Sequence, residues 1–152
     1  MIQVLEKSKS KVPFYLKQIP MNHQNWKKIT LQMYCYWSGE VILGNLEGVI
    51  STTAGHLNVG EVVIVEYDEK IINEKKFNSL DGMKVVKNDF ENFRKCKKCD
   101  QKYYLENKFS NWEKIISNIQ ATKVNAALKN GESWEIYLSL KQIESLNKIL
   151  KN

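Results

Sequence analysis

The sequence contains little arginine, few cysteines and prolines, and no long apolar run. Its 152 residues carry a formal net charge of +6, but Arg94 is the only arginine, so lysine supplies nearly all the positive charge. Recognition of phosphate and guanine favours the bidentate guanidinium group, and scattered lysines do not replace it. The composition therefore argues against a dedicated nucleic-acid-binding protein. Binding of nucleic acid through lysines and aromatic residues is the weakest hypothesis.

No apolar segment approaches the length of a membrane span, and the start, MIQVLEKSKSKVP, lacks the apolar core of a signal peptide. We therefore predict a cytoplasmic protein with no membrane partner. Three cysteines are an odd number, and a chain without an export signal has little use for a disulfide framework. Metal-binding, redox or inert roles remain for these cysteines.

The length and composition predict a single domain over residues 1–152, because 43% hydrophobic residues are enough for one sizeable core. Both prolines, Pro13 and Pro20, lie within residues 1–27, and this segment is predicted to be an irregular N-terminal arm. Residues 110–152 are predicted to form a C-terminal helical region.

Residues 28–68 are predicted to form a core of strand, helix, strand and strand that carries the site. In KITLQM, apolar and polar residues alternate, which is typical of a half-buried strand. Apolar residues then recur at helical spacing until Gly48. VISTTAG and GEVVIVEYD are rich in β-branched residues and predict two further strands, with His56 to Gly60 as the turn between them.

The remaining segments are less regular. KIINEKKF predicts a short helix, and FRKCKKCDQKYYL is left unassigned. A long helix is predicted from Asn111, closed by Asn130 and Gly131, because apolar residues recur on one face. WEIYLSL predicts a short strand or extended segment, and KQIESLNKIL predicts a terminal helix.

Cys35 follows the first predicted strand and lies at or just before the start of a helix. The positive end of the helix dipole and the free backbone N–H groups favour a thiolate there, and thiolate is the nucleophilic form of cysteine. Tyr36 and Trp37 would wall an apolar pocket, and Glu61 would supply a proton. The structural alternative is a small buried cysteine beside core aromatic residues, with a solvated glutamate.

Cys96 and Cys99 form a second candidate site in the motif CKKC. A single CxxC supplies half of a structural zinc site, and His23, His56 and Cys35 offer no standard second pair. No metal site is predicted. Lysine-flanked thiols suit thiol–disulfide exchange, since ammonium groups stabilise thiolate. Two unreactive surface cysteines are the alternative.

The segment from Cys35 to His56 resembles the nucleophile segment of the type A peptide methionine sulfoxide reductases. The family pattern is Gly-Cys-Phe-Trp-Gly, a Glu shortly after, Leu-Pro-Gly-Val, and Thr-x-x-Gly-Tyr. GEVVIVEYD is similar to the family's His-Ala-Glu-Val-Val strand, which aligns Glu61 with the family's acid. The resemblance covers residues 29–68. The positions that match the first segment are Cys35, Tyr36, Trp37, Glu40, Leu46, Gly48, Val49, Thr52, Gly55 and His56.

The sequence departs from this family in three places. Tyr34 and Ser38 replace the two glycines that flank the cysteine motif. The loop before the acid is cut to residues 57–60, and the tyrosine that this loop contributes to the sulfoxide oxygen has no replacement there. The family's Asn-Asp…Tyr-Arg segment is echoed by Asn88, Asp89, Phe93 and Arg94. The chain therefore resembles a shortened, divergent member.

The resemblance implies an α/β fold, an α+β sandwich of the ferredoxin-like kind, to which the C-terminal helices predicted from the residue pattern are added. It implies an oxidoreductase of oxidative-stress repair that reduces methionine-S-sulfoxide, free or in an oxidised protein, through a sulfenic acid on Cys35. Glu61 would be the acid. A disulfide with Cys99 or Cys96 would follow, and a thioredoxin-like thiol would reduce it, without a metal or organic cofactor. The substrate-binding residues would be Tyr36, Trp37, His56 and Asp89.

The rival hypothesis is an interaction module on the same scaffold, for example an immunity or antitoxin-like protein in which the thiol is idle. The missing tyrosine favours this hypothesis, whereas the joint presence of Cys35 and Glu61 favours the enzyme. If Glu61 is not the acid, Glu40 is the next candidate.

Overall fold

The structure, a computed structural model, describes residues 23–151, and its architecture is mixed α and β. Most of the predicted arm, including both prolines, lies outside the described residues. Five strands form one antiparallel sheet in the order β4-β1-β3-β2-β5. The strands are β1 (Trp26–Met33), β2 (Val49–Leu57), β3 (Gly60–Asp68), β4 (Met83–Val86) and β5 (Arg94–Lys95).

Among the described residues, the α-helices lie after β1, after β3 and in the C-terminal half of the chain. They are α1 (Tyr36–Gly44), α2 (Glu74–Asn78), α3 (Tyr103–Lys108), α4 (Asn118–Asn130) and α5 (Leu140–Asn147). Short 3₁₀ helices occupy His23–Asn25, Lys98–Asp100, Trp112–Lys114 and Trp134–Tyr137. The broad fold class expected from the sequence is confirmed.

The first three strands and α1 occur in the predicted order, but their ends differ from the prediction. β1 begins at Trp26, inside the segment that was expected to be an arm. α1 ends at Gly44, and Gly48, with φ of 86°, instead marks the turn into β2. β2 continues through His56 to Leu57, so the turn before β3 is shorter than predicted.

One face of the sheet is packed against α1 and carries the first hydrophobic core. Cross-strand neighbours share this face, as Leu31 does with Val63 and Val63 does with Ala54. The side chain of Leu43 from α1 is fully buried in the same cluster. These long-range apolar contacts hold the start of α1 at the ends of β1 and β2.

A second hydrophobic core lies among the C-terminal helices and is attached to the sheet through α4. Its buried residues include Leu105, Phe109, Trp112, Val124 and Leu146. The helices α1 and α4 approach closely at Gly44, where a Cβ atom would lie 2.7 Å from the backbone oxygen of Thr122. The backbone N–H of Thr52 also donates to the Thr122 hydroxyl at 3.2 Å.

Two predictions for the C-terminal region are wrong. The long helix begins at Asn118 instead of Asn111, because Ser117 and Gln120 form a capping box that defines its start. Asn111 has left-handed backbone geometry, and a 3₁₀ turn follows it. WEIYLSL contains a 3₁₀ helix instead of a strand, and its Trp134 packs in the second core. The terminal helix, α5, is present.

Lys123 closes the C-terminal end of α1 from the neighbouring helix α4. Its ammonium group donates to the carbonyl oxygens of Gly44, at 2.9 Å, and Leu46, at 2.8 Å. A cation at this end of a helix is favoured by the helix dipole. Burial nevertheless lowers the pKa of Lys123 from 10.5 to about 8, with a smaller opposing effect of Glu47.

We expect the Lys123→Met variant to lose a pH dependence of stability that the wild-type protein has. Because the folded pKa, about 8, lies below the unfolded 10.5, the unfolded chain binds more protons between these values. The free energy of unfolding of the wild type should therefore rise across this window, by up to roughly 3 kcal/mol from this group.

Urea unfolding below pH 8 and between pH 8 and 10.5 measures this difference. Lys148→Met, which removes an exposed lysine from the end of α5, is the control and should keep the rise. An undiminished rise in Lys123→Met would contradict the assignment.

Candidate functional site

Cys35 is the N-cap residue of α1, as the boundary between strand and helix predicted. Its backbone is extended, with φ of −141° and ψ of 113°, and its carbonyl accepts the first helical hydrogen bond from Gly39 at 3.0 Å. The thiol is partly buried and makes no capping hydrogen bond. The thiol therefore lies at the positive end of α1, although it makes no hydrogen bond to the N–H groups of that helix end.

Glu61 supplies the cap that Cys35 does not. It lies at the start of β3 opposite His56, and its Oε2 accepts the backbone N–H of Tyr36, the first residue of α1, at 2.8 Å. A carboxylate at a helix N-terminus is favoured by the free N–H groups and the dipole. Within residues 23–151, Oε1 has no hydrogen-bond partner. The hairpin thus brings Glu61 to the helix end that carries Cys35.

Tyr36 connects this helix end to Cys96. Its hydroxyl donates to the Cys96 thiol, and its ring meets His56 edge-on at 5.5 Å. The Cys96 sulfur also lies 3.8 Å from Nδ1 of His56. Burial raises the pKa of the Cys96 thiol, which the hydrogen bond from Tyr36 partly opposes. Burial, and then the same hydrogen bond, raise the pKa of Tyr36. These three side chains form one contact cluster.

Trp37 is stacked on Tyr103, a partner that the sequence did not identify. The ring centroids are 4.0 Å apart and the ring planes differ by 20°. Among the described residues, the indole N–H of Trp37 is buried and has no hydrogen-bond partner. Tyr103 begins α3, in the segment that sequence reasoning left unassigned, so no periodicity pointed to it.

Glu40, the second candidate acid, is committed to a buried ion pair. It is 0% exposed and accepts the Lys102 ammonium group at 2.6 Å and the Lys102 backbone N–H at 2.8 Å. The Thr52 hydroxyl donates to the same carboxylate at 2.9 Å. Lys102 is 1% exposed, and burial lowers its pKa, with Glu40 opposing. The pair joins α1, β2 and α3, and fixes the residue that precedes Tyr103.

The remaining predicted site residues lie elsewhere. Cys99 is exposed on a 3₁₀ helix, so Cys96 is the cysteine of the CxxC motif that contacts the site. The carboxylate of Asp89 accepts the side-chain N–H of Asn92 at 2.8 Å. The neighbouring Asn88 bonds Thr30 at 2.7 Å, on the sheet face opposite Leu31. Asp89 is thus outside the cluster around Cys35.

The residues brought together are Cys35, Tyr36, Trp37, His56, Glu61 and Cys96. In the described part of the chain, no three His, Cys, Asp or Glu side chains are arranged so that they could hold a metal ion. In residues 23–151, every helix is too short or too polar to cross a membrane.

A comparison with protein-family models gives no match, and neither does a comparison with curated protein sequences.

Proposed function

We propose that the protein is a thiol-dependent reductase of methionine-S-sulfoxide, free or within an oxidised protein. The observation that carries the proposal is the 2.8 Å hydrogen bond from the Tyr36 N–H to Glu61. It places a carboxyl group at the N-terminal end of α1, where Cys35 is the N-cap residue. A nucleophile and a proton donor at one site are what oxygen transfer from a sulfoxide requires.

The proposed step moves one oxygen atom from the substrate to Cys35. The Glu61 carboxylate, through Oε1, takes the proton of the Cys35 thiol, and the resulting thiolate attacks the sulfoxide sulfur while Glu61 passes that proton to the sulfoxide oxygen. The sulfur–oxygen bond of the substrate breaks, methionine leaves, and the oxygen ends on Cys35 as a sulfenic acid. The substrate is reduced by two electrons and the thiol is oxidised by two.

Aromatic side chains at the start of α1, directly after Cys35, support binding of an apolar substrate group. Tyr36 and Trp37 meet edge-on at 6.2 Å, and Tyr103 extends this aromatic surface. Such rings contact a methyl thioether favourably, because sulfur is polarisable. We infer that this surface holds the methyl end of the substrate.

The arrangement of elements is consistent with a ferredoxin-like sandwich. From Trp26 to Val86 the order is β1, α1, β2, β3, α2 and β4, which is the β-α-β-β-α-β order of that architecture. In this proposal β5 is an additional edge strand and α3 to α5 are C-terminal additions.

One observation favours the alternative, an interaction module whose thiol is idle. Tyr103 covers one face of the Trp37 ring at 4.0 Å, and that face is therefore closed to a substrate methyl group. One assay distinguishes the reductase from the interaction module. Only the reductase consumes a methionine sulfoxide, of one epimer or the other, in the presence of dithiothreitol or thioredoxin.

Glu61→Gln should lower the rate of sulfoxide reduction by roughly 10²-fold or more, because an amide cannot donate the proton. The fold should persist, since the amide oxygen still accepts the Tyr36 N–H. Glu66→Gln is the matched control on the same strand, where the carboxylate binds Ser51, and should leave the rate unchanged. A rate for Glu61→Gln equal to that of the control would remove Glu61 from the mechanism. No reduction by the wild-type protein would favour the interaction module.

A further inference from the structure

A cleft of about 370 Å³ opens beside β5, and Cys96 is one of its lining residues. Its lining also includes Lys95, Lys98, Gln101, Trp112 and the acidic Glu113. This volume is within the usual range for small-molecule sites, which combine an apolar surface with a few polar groups. Here the mostly buried Trp112 supplies apolar surface, and Lys95, Lys98 and Glu113 together leave one net positive charge, that of Lys95.

The sequence around Cys96 is rich in basic residues, with the acidic Asp100 beside them. Arg94, Lys95, Lys97 and Lys98 directly flank Cys96 in the sequence. One of these charges is paired, because Lys98 contacts Glu113 at 3.2 Å. The remaining excess attracts anionic molecules and repels cationic ones over roughly a Debye length. The charge therefore selects the class of ligand.

Cys96 also has a proton acceptor in contact. Nδ1 of His56 lies 3.8 Å from the sulfur, and the Tyr36 hydroxyl donates to the same atom. A hydrogen bond to sulfur stabilises the thiolate, and a neutral imidazole accepts the proton that the thiol loses. Cys99 is exposed and has neither contact.

We propose that this cleft binds a small anionic thiol or its disulfide, such as a peptide thiol with free carboxylates, and exchanges it with Cys96. The Cys96 thiolate attacks one sulfur of the disulfide, and a new sulfur–sulfur bond forms as the old one breaks. The leaving thiolate takes up the proton that Cys96 gave to His56. Two electrons and one proton are conserved.

The thiol bound in the cleft would be the reductant of the proposed reductase, and in that respect the inference rests on the proposed function. There the anionic thiolate attacks Cys96 in a disulfide with Cys35, and Cys35 leaves as a thiolate at the end of α1. A thiolate stabilised by a helix N-terminus is a good leaving group.

The test uses full-length chains with one cysteine each, so that sulfoxide reduction plays no part. In Cys35→Ser/Cys99→Ser the sole thiol is Cys96, and in Cys35→Ser/Cys96→Ser it is Cys99. Each is mixed with glutathione disulfide, which is anionic, or cystamine, which is cationic, and the mixed disulfide is followed by mass spectrometry. We expect glutathione disulfide to react with Cys96 about tenfold faster than cystamine, and the preference to shrink at high salt.

Charge variants distinguish an effect of the cleft lysines from an effect of the protein's net charge. Lys95→Gln/Lys98→Gln should abolish the preference for glutathione disulfide, whereas Lys141→Gln/Lys148→Gln, with the same charge change on α5, should keep it. Equal rates for the two disulfides, an equal preference at Cys99, or an unchanged preference in the cleft variant would overturn the proposal. Exchange with thioredoxin alone would also overturn it, in favour of a protein partner. Sulfoxide reduction can fail without affecting any of these results.

Discussion

Replacing Cys35 with serine is expected to abolish methionine sulfoxide reduction with every reductant. A hydroxyl is a far weaker nucleophile than a thiolate, and it cannot form the sulfenic acid that the proposed reaction needs. The fold should survive, because serine is a preferred N-cap residue and would bond the free N–H groups of α1. Urea unfolding should therefore give an unchanged or higher stability, so that lost activity reports chemistry.

The control replaces both Cys96 and Cys99 with serine and leaves Cys35 in place. This variant should form one equivalent of methionine per chain and should keep turnover with a small dithiol. Turnover with thioredoxin should fall, because no second thiol is left to form the disulfide. Full activity of Cys35→Ser would assign the nucleophile to another residue and end the proposal for α1.

Lys102→Met is expected to be the most destabilising single substitution proposed for this protein. It leaves the Glu40 carboxylate buried without its cation, and breaking a buried pair in this way costs about 3–5 kcal/mol. It also removes two hydrogen bonds to Thr52. We expect a large loss in the free energy of unfolding, or an insoluble chain if the wild type is only marginally stable.

Two further variants keep this prediction testable. Glu40→Gln/Lys102→Met removes both charges and should recover much of the loss, since a neutral amide is far cheaper to bury than an isolated carboxylate. Lys98→Met breaks the half-exposed pair with Glu113 and should cost about 1 kcal/mol or less. A similar cost for Lys98→Met and Lys102→Met, in urea unfolding, would contradict the role of the buried pair.

Local patterns were sufficient to predict β1, α1, β2 and β3 in their order, but not their ends and not β4. Alternation in KITLQM and the β-branched runs at 49–57 and 60–68 correctly predict β1, β2 and β3, because a strand with one buried face has a period of two. The placement of Cys35 at the start of α1 follows from the change of period. The predicted start of the long helix was wrong because apolar residues continue through Trp112 and Ile116, which pack in the same core from a 3₁₀ helix and the bend that follows it.

The partnerships at the site were decided only by the tertiary structure. Glu61 meets Tyr36, Lys102 meets Glu40, and Tyr103 meets Trp37, although each pair is distant in sequence. Sequence determined which residues can ionise, stack or attack, since these properties belong to single side chains. Which of them are buried together depends on how α3 and α4 pack over the sheet. That packing commits Glu40 to an ion pair, whereas the hairpin of β2 and β3 places Glu61 at the helix end that carries Cys35, with Oε1 unbonded among residues 23–151.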